Sequence, residues 1–359
     1  MSELRDNGRP PAPEGFAGTR ADDARAEDKG LMLASEAPQV HRDVPWWAGL
    51  VCCLAGGALM AVLPDLVCVV AIAYGAAVVL DRGPLWGRVA AVVGTLAVSG
   101  VAVLLAAPGA AASSLAFVAL ALASAGLARR GRLTSGACCL LVAGSALAVL
   151  AVAELAAGAE GTSLSQVATS SLDAHQGSLV GQTAEVAAEA QTLRELVGLL
   201  WPINYVVASA CELLCAYAGL ALAQRQGAPG LRLSPLRDFD LPFWVLVVLA
   251  VDVTALLAGA TVDTWPYLAH QVTSVVLMAL RLAFAFQGFA VLAWFLYRRN
   301  VSAAGRAAIL AMAFVLEVQL VIMTIVGLLD AWRNYRQLPR GRGRVTVQGP
   351  ANKESAHAD

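Results

Sequence analysis

The sequence predicts an all-α fold, a polytopic transmembrane helix bundle of eight to nine membrane segments. Three observations predict it. The chain is 58% hydrophobic and 14% charged, with mean hydropathy +0.66, whereas soluble domains are about half apolar and a quarter charged. Several apolar runs approach or exceed the ~20 residues that cross a bilayer. The runs lack period-two alternation, so each must satisfy its backbone internally, as a helix.

Residues 1–45 come first. MSELRDNGRPPAPEGFAGTRADDARAEDKG is polar and rich in proline and charge, which predicts a disordered cytoplasmic tail rather than a signal peptide. A membrane domain over 46–336 follows. Its apolar segments fall at about 46–62, 65–80, 88–107, 111–128, 135–157, 203–224, 242–260, 271–297 and 307–330. Pro64, Pro108-Gly109, Pro202 and Pro242 punctuate them, as expected of residues that stop or start helices. Residues 337–359 form a second disordered tail, basic in character.

Arginines orient the segments through the positive-inside rule. Arg82 and Arg88, then Arg129, Arg130 and Arg132, then Arg225, Arg232 and Arg237, then Arg298, Arg299 and Arg306 occupy alternate connections. The intervening connections hold almost no Lys or Arg. This predicts a multi-pass membrane protein with a cytoplasmic amino terminus. Nine crossings would place RNYRQLPRGRGR outside, against the same rule. Either the last segment is re-entrant, or the eighth is a hairpin, or the rule fails here.

Residues 158–202 form the one sizeable extramembrane loop. Val186, Ala190, Leu193, Val197 and Leu200 make an apolar stripe with Glu185, Glu189 and Glu195 around it, an amphipathic helix. It either docks on the helix ends, caps a cavity as an outer lid, or lies on the membrane surface. Its acidic polar face disfavours the last.

Four charges fall within apolar runs: Glu212, Asp252, Arg281 and Glu317. Each lies about 12–15 Å from the start of its segment at 1.5 Å per residue, close to the midplane of a ~30 Å hydrocarbon core. Charges at that depth face a bundle interior or a polar cavity, so Arg281 is expected to face Asp252, Glu317 or Glu212. Gln287 and Gln319 are expected to add interhelical hydrogen bonds. The pairs either hold the bundle together or, with Gln287, line a midplane site for a small solute. Three acids against one base favour a cation, a proton or an amine. Glu154 and Asp330, near segment ends, are expected to reach interfacial water.

Cys53, Gly57 and Ala61 repeat at four-residue spacing, which lets another helix approach closely. The contact is either internal or a docking face for another membrane protein. All seven cysteines lie in apolar runs and read as packing residues, Cys211 and Cys215 beside Glu212 included. Net charge is −1, so no overall field points to nucleic acid. No H-E-x-x-H, G-x-S-x-G or Walker A pattern occurs. No enzyme activity, cofactor or metal is expected. The lipid bilayer is the expected partner, and active transport would need an ion gradient or an ATPase.

Three stretches carry a resemblance: LPFWVLVVLAV (241–251), FQGFAVLAWFLYRR (286–299) and VGLLDAWRNYR (326–336). With LPDLVCVVAIAYGAAVVLDRG near the start, they resemble the YybS-like family of bacterial integral membrane proteins, a domain of unknown function. The likeness covers about 46–336. It rests on a Gln-Gly pair in a helix with a basic end, then a closing Gly-Leu-Leu-Asp, an aromatic and an arginine. Here these are Gln287 and Gly288, then Gly327, Asp330, Trp332 and Arg336. The final helix departs from the family by lacking mid-segment prolines and carrying Glu317. The amino-terminal part of that family is similar to the substrate-binding membrane components of energy-coupling-factor transporters, which dock on a membrane coupling protein with ATPase subunits. That similarity implies Cys53, Gly57 and Ala61 as the docking face.

Overall fold

A computed structural model describes residues 44–106, 111–159, 161–168, 170, 184–226, 228–261 and 266–338. Most of both predicted tails, and part of the polar loop, lie outside the described residues. All regular structure among the described residues is helical. In order, α1 is Trp46–Leu59, α2 Asp65–Arg82, α3 Leu85–Ala106, α4 Ala111–Arg129, α5 Ser135–Ala159, α6 Ala184–Leu200 and α7 Ile203–Gln226. A 3-10 turn, Leu236–Asp238, precedes α8 Phe243–Thr261, α9 Tyr267–Arg298, α10 Ala303–Leu320 and α11 Ile322–Arg333. Six of these, α3, α5, α7, α8, α9 and α10, are long and apolar enough to cross a membrane. α1 and most of α4 are shorter apolar helices. α2 carries Asp65, Asp81 and Arg82 at its ends.

The helix ends follow the local chemistry. α2 opens after Pro64 with Asp65 in its first turn and closes with Arg82 in its last. Each charge opposes the helix dipole at its end. α10 opens on Ser302, whose hydroxyl accepts from the Gly305 N–H at 3.2 Å, an N-cap that satisfies one orphan donor.

Two cores result. In the first, α2 is the axis: Val69, Ile72, Ala73, Ala76, Ala77, Val78 and Val79 are all at most 1% exposed. α1, α3, α4 and α7 pack around it, and α5 closes the bundle against α4 and α7. Small residues set the spacing. A Cβ on Gly75 would meet the Gly49 carbonyl and lie 2.8 Å from the Cys53 nitrogen, and one on Gly219 would meet the Val70 carbonyl. Without a hydrophobic drive between helices in lipid, such close backbone approach is a main source of attraction.

The second core joins α8, α9, α11 and the 3-10 turn through Leu241, Val245, Leu280, Phe284 and Ala331. α9 has 32 residues, or about 48 Å. α6 docks on its beginning, where the Tyr267 hydroxyl and the Gln271 amide donate to the Gly198 carbonyl at 3.0 and 3.1 Å.

The ninth apolar segment is not one helix. It breaks at Val321, which has φ 56° and divides α10 from α11. Both outer ends of this pair lie beside Tyr297. The Arg306 guanidinium sits 5.4 Å from that ring and Arg237 sits 3.9 Å from it. Arg336 donates to the Arg237 carbonyl at 2.7 Å. The break lies beside Arg281 instead, through Thr324 Oγ1 to the Arg281 carbonyl at 3.3 Å. Arg281 precedes Tyr297 by sixteen residues, about 24 Å along α9. α10 therefore climbs along α9 and α11 returns, a helical hairpin whose ends share one side.

Candidate functional site

The break leaves backbone donors without helical partners, and one side chain collects them. Glu317, 8% exposed, accepts the Met323 N–H at 2.6 Å and the Thr324 N–H at 3.3 Å on Oε2, and the Thr324 hydroxyl at 2.5 Å on Oε1. Its own carbonyl takes the Val321 N–H at 3.2 Å. A carboxylate at the start of a helix is favoured by the dipole and by the free N–H groups. A β-branched residue in the left-handed region is a genuine outlier, so the break stores strain that this hydrogen-bond set holds in place.

Arg281 reaches the same point from α9. Its Nη2 is 3.5 Å from the Glu317 carbonyl oxygen. Among the described residues it has no carboxylate within ion-pair distance. The break is thus lined by a half-buried guanidinium, a capping carboxylate and a threonine hydroxyl, inside an otherwise apolar segment.

Gln287 belongs to a second cluster nearer the Tyr297 end. It is fully buried, accepts the Leu241 N–H at 3.0 Å, and donates to Asp330 at 2.7 Å and Asp240 at 3.1 Å. Asp330 in turn takes the Arg336 Nε and Nη2 at 3.1 and 2.9 Å. Arg336 Nη2 also donates to the Phe239 carbonyl at 2.8 Å and lies 3.7 Å from Asp240. The expectation that Asp330 reaches interfacial water is corrected. It is fully buried, because Arg336, beyond the helix end, folds back over it. Beside this cluster Gly288 and Gly327 cross. A Cβ on Gly288 would meet the Met323 carbonyl, and one on Gly327 the Phe284 carbonyl. Trp332 faces outward, 75% exposed.

The remaining predicted residues lie elsewhere. Glu212 is on α7, 4% exposed, and its Oε2 has no hydrogen-bond partner. Asp252 is on α8, 6% exposed, and its Oδ2 has no hydrogen-bond partner. Cys53 and Gly57 pack within the first core: the Cys53 thiol donates to the Ile72 carbonyl at 3.5 Å, and Gly57 backs onto Thr95 and Ser99. Ala61 follows the end of α1. Sequence reasoning missed Val321, Thr324 and Asp240. Thr324 had one available signal, its position seven residues after Glu317, on the same face were the helix continuous.

Chemically, the break can bind, orient or exchange a charged small group through Arg281, Glu317 and Thr324. Among the described residues no three His, Cys, Asp or Glu side chains converge on a metal-binding point. An open apolar depression on α3, lined by Ala97, Val98, Val101 and Ala102, is remote from these charges.

Residues 50–331 match the model of a family described as "Predicted membrane protein (DUF2232)". No curated protein and no solved structure matches the chain.

Proposed function

The chain belongs to the DUF2232 family of predicted membrane proteins, and from that premise we propose that it is a small-solute-binding component of a membrane transport system. The observation that carries this reading is the broken helix at Val321, with Arg281, Glu317 and Thr324 gathered at the break. In transporters, interrupted helices place half-helix termini and freed backbone groups at the substrate or coupling-ion site. Charges at membrane depth are expensive and mark such sites. Asp252 adds a buried carboxylate on the neighbouring α8, Gln287 and Glu212 standing apart from the break, and in this reading α6, docked on the start of α9, serves as an outer lid.

The system is that of a bacterial cytoplasmic membrane, with the amino terminus cytoplasmic and eight crossings followed by the hairpin. The resemblance to the YybS-like family, and through it to energy-coupling-factor components, supports a membrane coupling protein with ATPase subunits as partner. A non-transporting scaffold or assembly role competes. With Cys53 and Gly57 packed inward, such a scaffold would act through its loop or its basic tail.

Native mass spectrometry of the purified full-length protein tests the reading. A small molecule retained by the wild type should be lost, at least tenfold, from Arg281→Ala, while the variant still elutes as a monodisperse folded protein. Equal retention by both proteins, or none by either together with recurrent envelope-assembly partners, overturns transport in favour of the scaffold.

A further inference from the structure

A second polar site lies in the first core, apart from the α10–α11 break. Glu212 is 4% exposed, and its Oε2 has no hydrogen-bond partner. Three residues earlier on the same face of α7, Ser209 is fully buried and its hydroxyl also lacks a partner. Such buried orphans call for an unseen proton, ion or water.

α2 and α7 run side by side in the same direction. Gly219 lies against Val70 and Tyr74, and farther along, the Gly230 N–H meets Asp81 Oδ2 at 3.4 Å. Carried back along both helices, that register puts Glu212 level with the first turn of α2. Asp65 opens that turn, half-buried.

We propose that Glu212 and Asp65 form a proton-binding carboxylate pair, with Glu212 holding the proton inside the bundle and Asp65 exchanging it with the membrane surface. In the transfer, the O–H bond of the Glu212 carboxylic acid breaks as an O–H bond forms on the Asp65 carboxylate, and total charge is unchanged. The surroundings leave little alternative. By the same register, Asp65 and Cys68 on α2 stand at the level of Glu212, and Cys215 is three residues along its own helix. On α5, Cys138 lies near Tyr217 and Glu154 near Tyr205, so the level of Glu212 between them is met by uncharged residues such as Ser145. α4 carries only Arg129, at its end, and on α9 neither His270 nor Arg281 is within ion-pair distance. Two carboxylates without a cation share a proton rather than both ionise. Two carboxylates and one hydroxyl offer about five oxygens at most, too few for a hard metal cation, which takes six or more.

Dicyclohexylcarbodiimide, an apolar reagent that modifies protonated carboxyls, tests this on the full-length protein in liposomes, with adducts located by peptide mass spectrometry. Glu212 should be modified, at a rate that falls at least tenfold as the pH is raised and the proton is lost, while exposed Glu154 is not. Glu212→Gln should remove the adduct, and Asp65→Asn should displace the midpoint of the fall by about one pH unit. The wild-type profile decides the matter alone if a variant fails to fold. No adduct at Glu212, a rate independent of pH, or protection by sodium ions at constant pH overturns the proposal. None of these outcomes bears on ligand retention at Arg281, so the two sites are tested separately.

Discussion

Truncating Arg336 removes a guanidinium in contact with Asp330, a carboxylate with no exposure to solvent. Leaving one member of a buried pair uncompensated costs about 3–5 kcal/mol, whereas replacing both by well-packed apolar residues is often near neutral. Arg336→Ala should therefore lower the thermal unfolding midpoint in detergent sharply, and Arg336→Met combined with Asp330→Leu should recover part of the loss. Single-particle size-exclusion traces after a heat ramp would read both. Not all of this was legible in the sequence. The resemblance singled out Gln287, Asp330 and Arg336, but charge spacing alone put Gln287 with Arg281 and left Asp330 to interfacial water. Depth along a segment is readable from 1.5 Å per residue. The direction from which a residue beyond a helix end folds back is not. Glu317 was visible as a buried charge, yet its role as a cap was hidden, because no proline or glycine marks the break at Val321.

Helix α11 is held against α9 by backbone proximity rather than by bulk. Any side chain at position 327 would enter space held by the Phe284 carbonyl, and overpacking of this kind costs about 1–3 kcal/mol or more. Gly327→Val should detach or displace α11 and lower folded yield, with the loss of stability read by the same heat ramp. Gly126→Ala, where a Cβ meets nothing within 4 Å, should be neutral. At this scale the sequence was a good guide. The apolar segments fall on α1 to α5 and α7 to α9 with shifts of a few residues, because length and hydropathy determine where lipid-facing helices form. The exception was 307–330, where composition is uniform and the change of direction comes from tertiary contacts with α9.

Across the whole molecule, the hairpin gives the chain an even account of its basic ends. Arg237 and Arg306 flank Tyr297 and Arg336 donates to the Arg237 carbonyl, so the residues just after α11 lie beside the α9–α10 turn, an arrangement that would keep these basic ends on one side of a membrane as the positive-inside rule asks. Reporters placed in the 299–302 turn and after Leu338 should report the same side of the membrane. Opposite sides would mean that 303–333 crosses, and the hairpin would be lost. The polar cluster has a further meaning for biogenesis. Gln287 is separated by 43 residues from Asp330, and Arg237 by 99 from Arg336. While the chain is being synthesised, Gln287 can meet Leu241 and Asp240 as soon as it is made, but the Asp330 carboxylate and the Arg336 guanidinium that complete the cluster leave the ribosome later. Until residue 336 arrives Asp330 lacks its guanidinium and the cluster stays incomplete, a mark by which insertion chaperones can hold an unfinished chain and membrane proteases can remove one cut short.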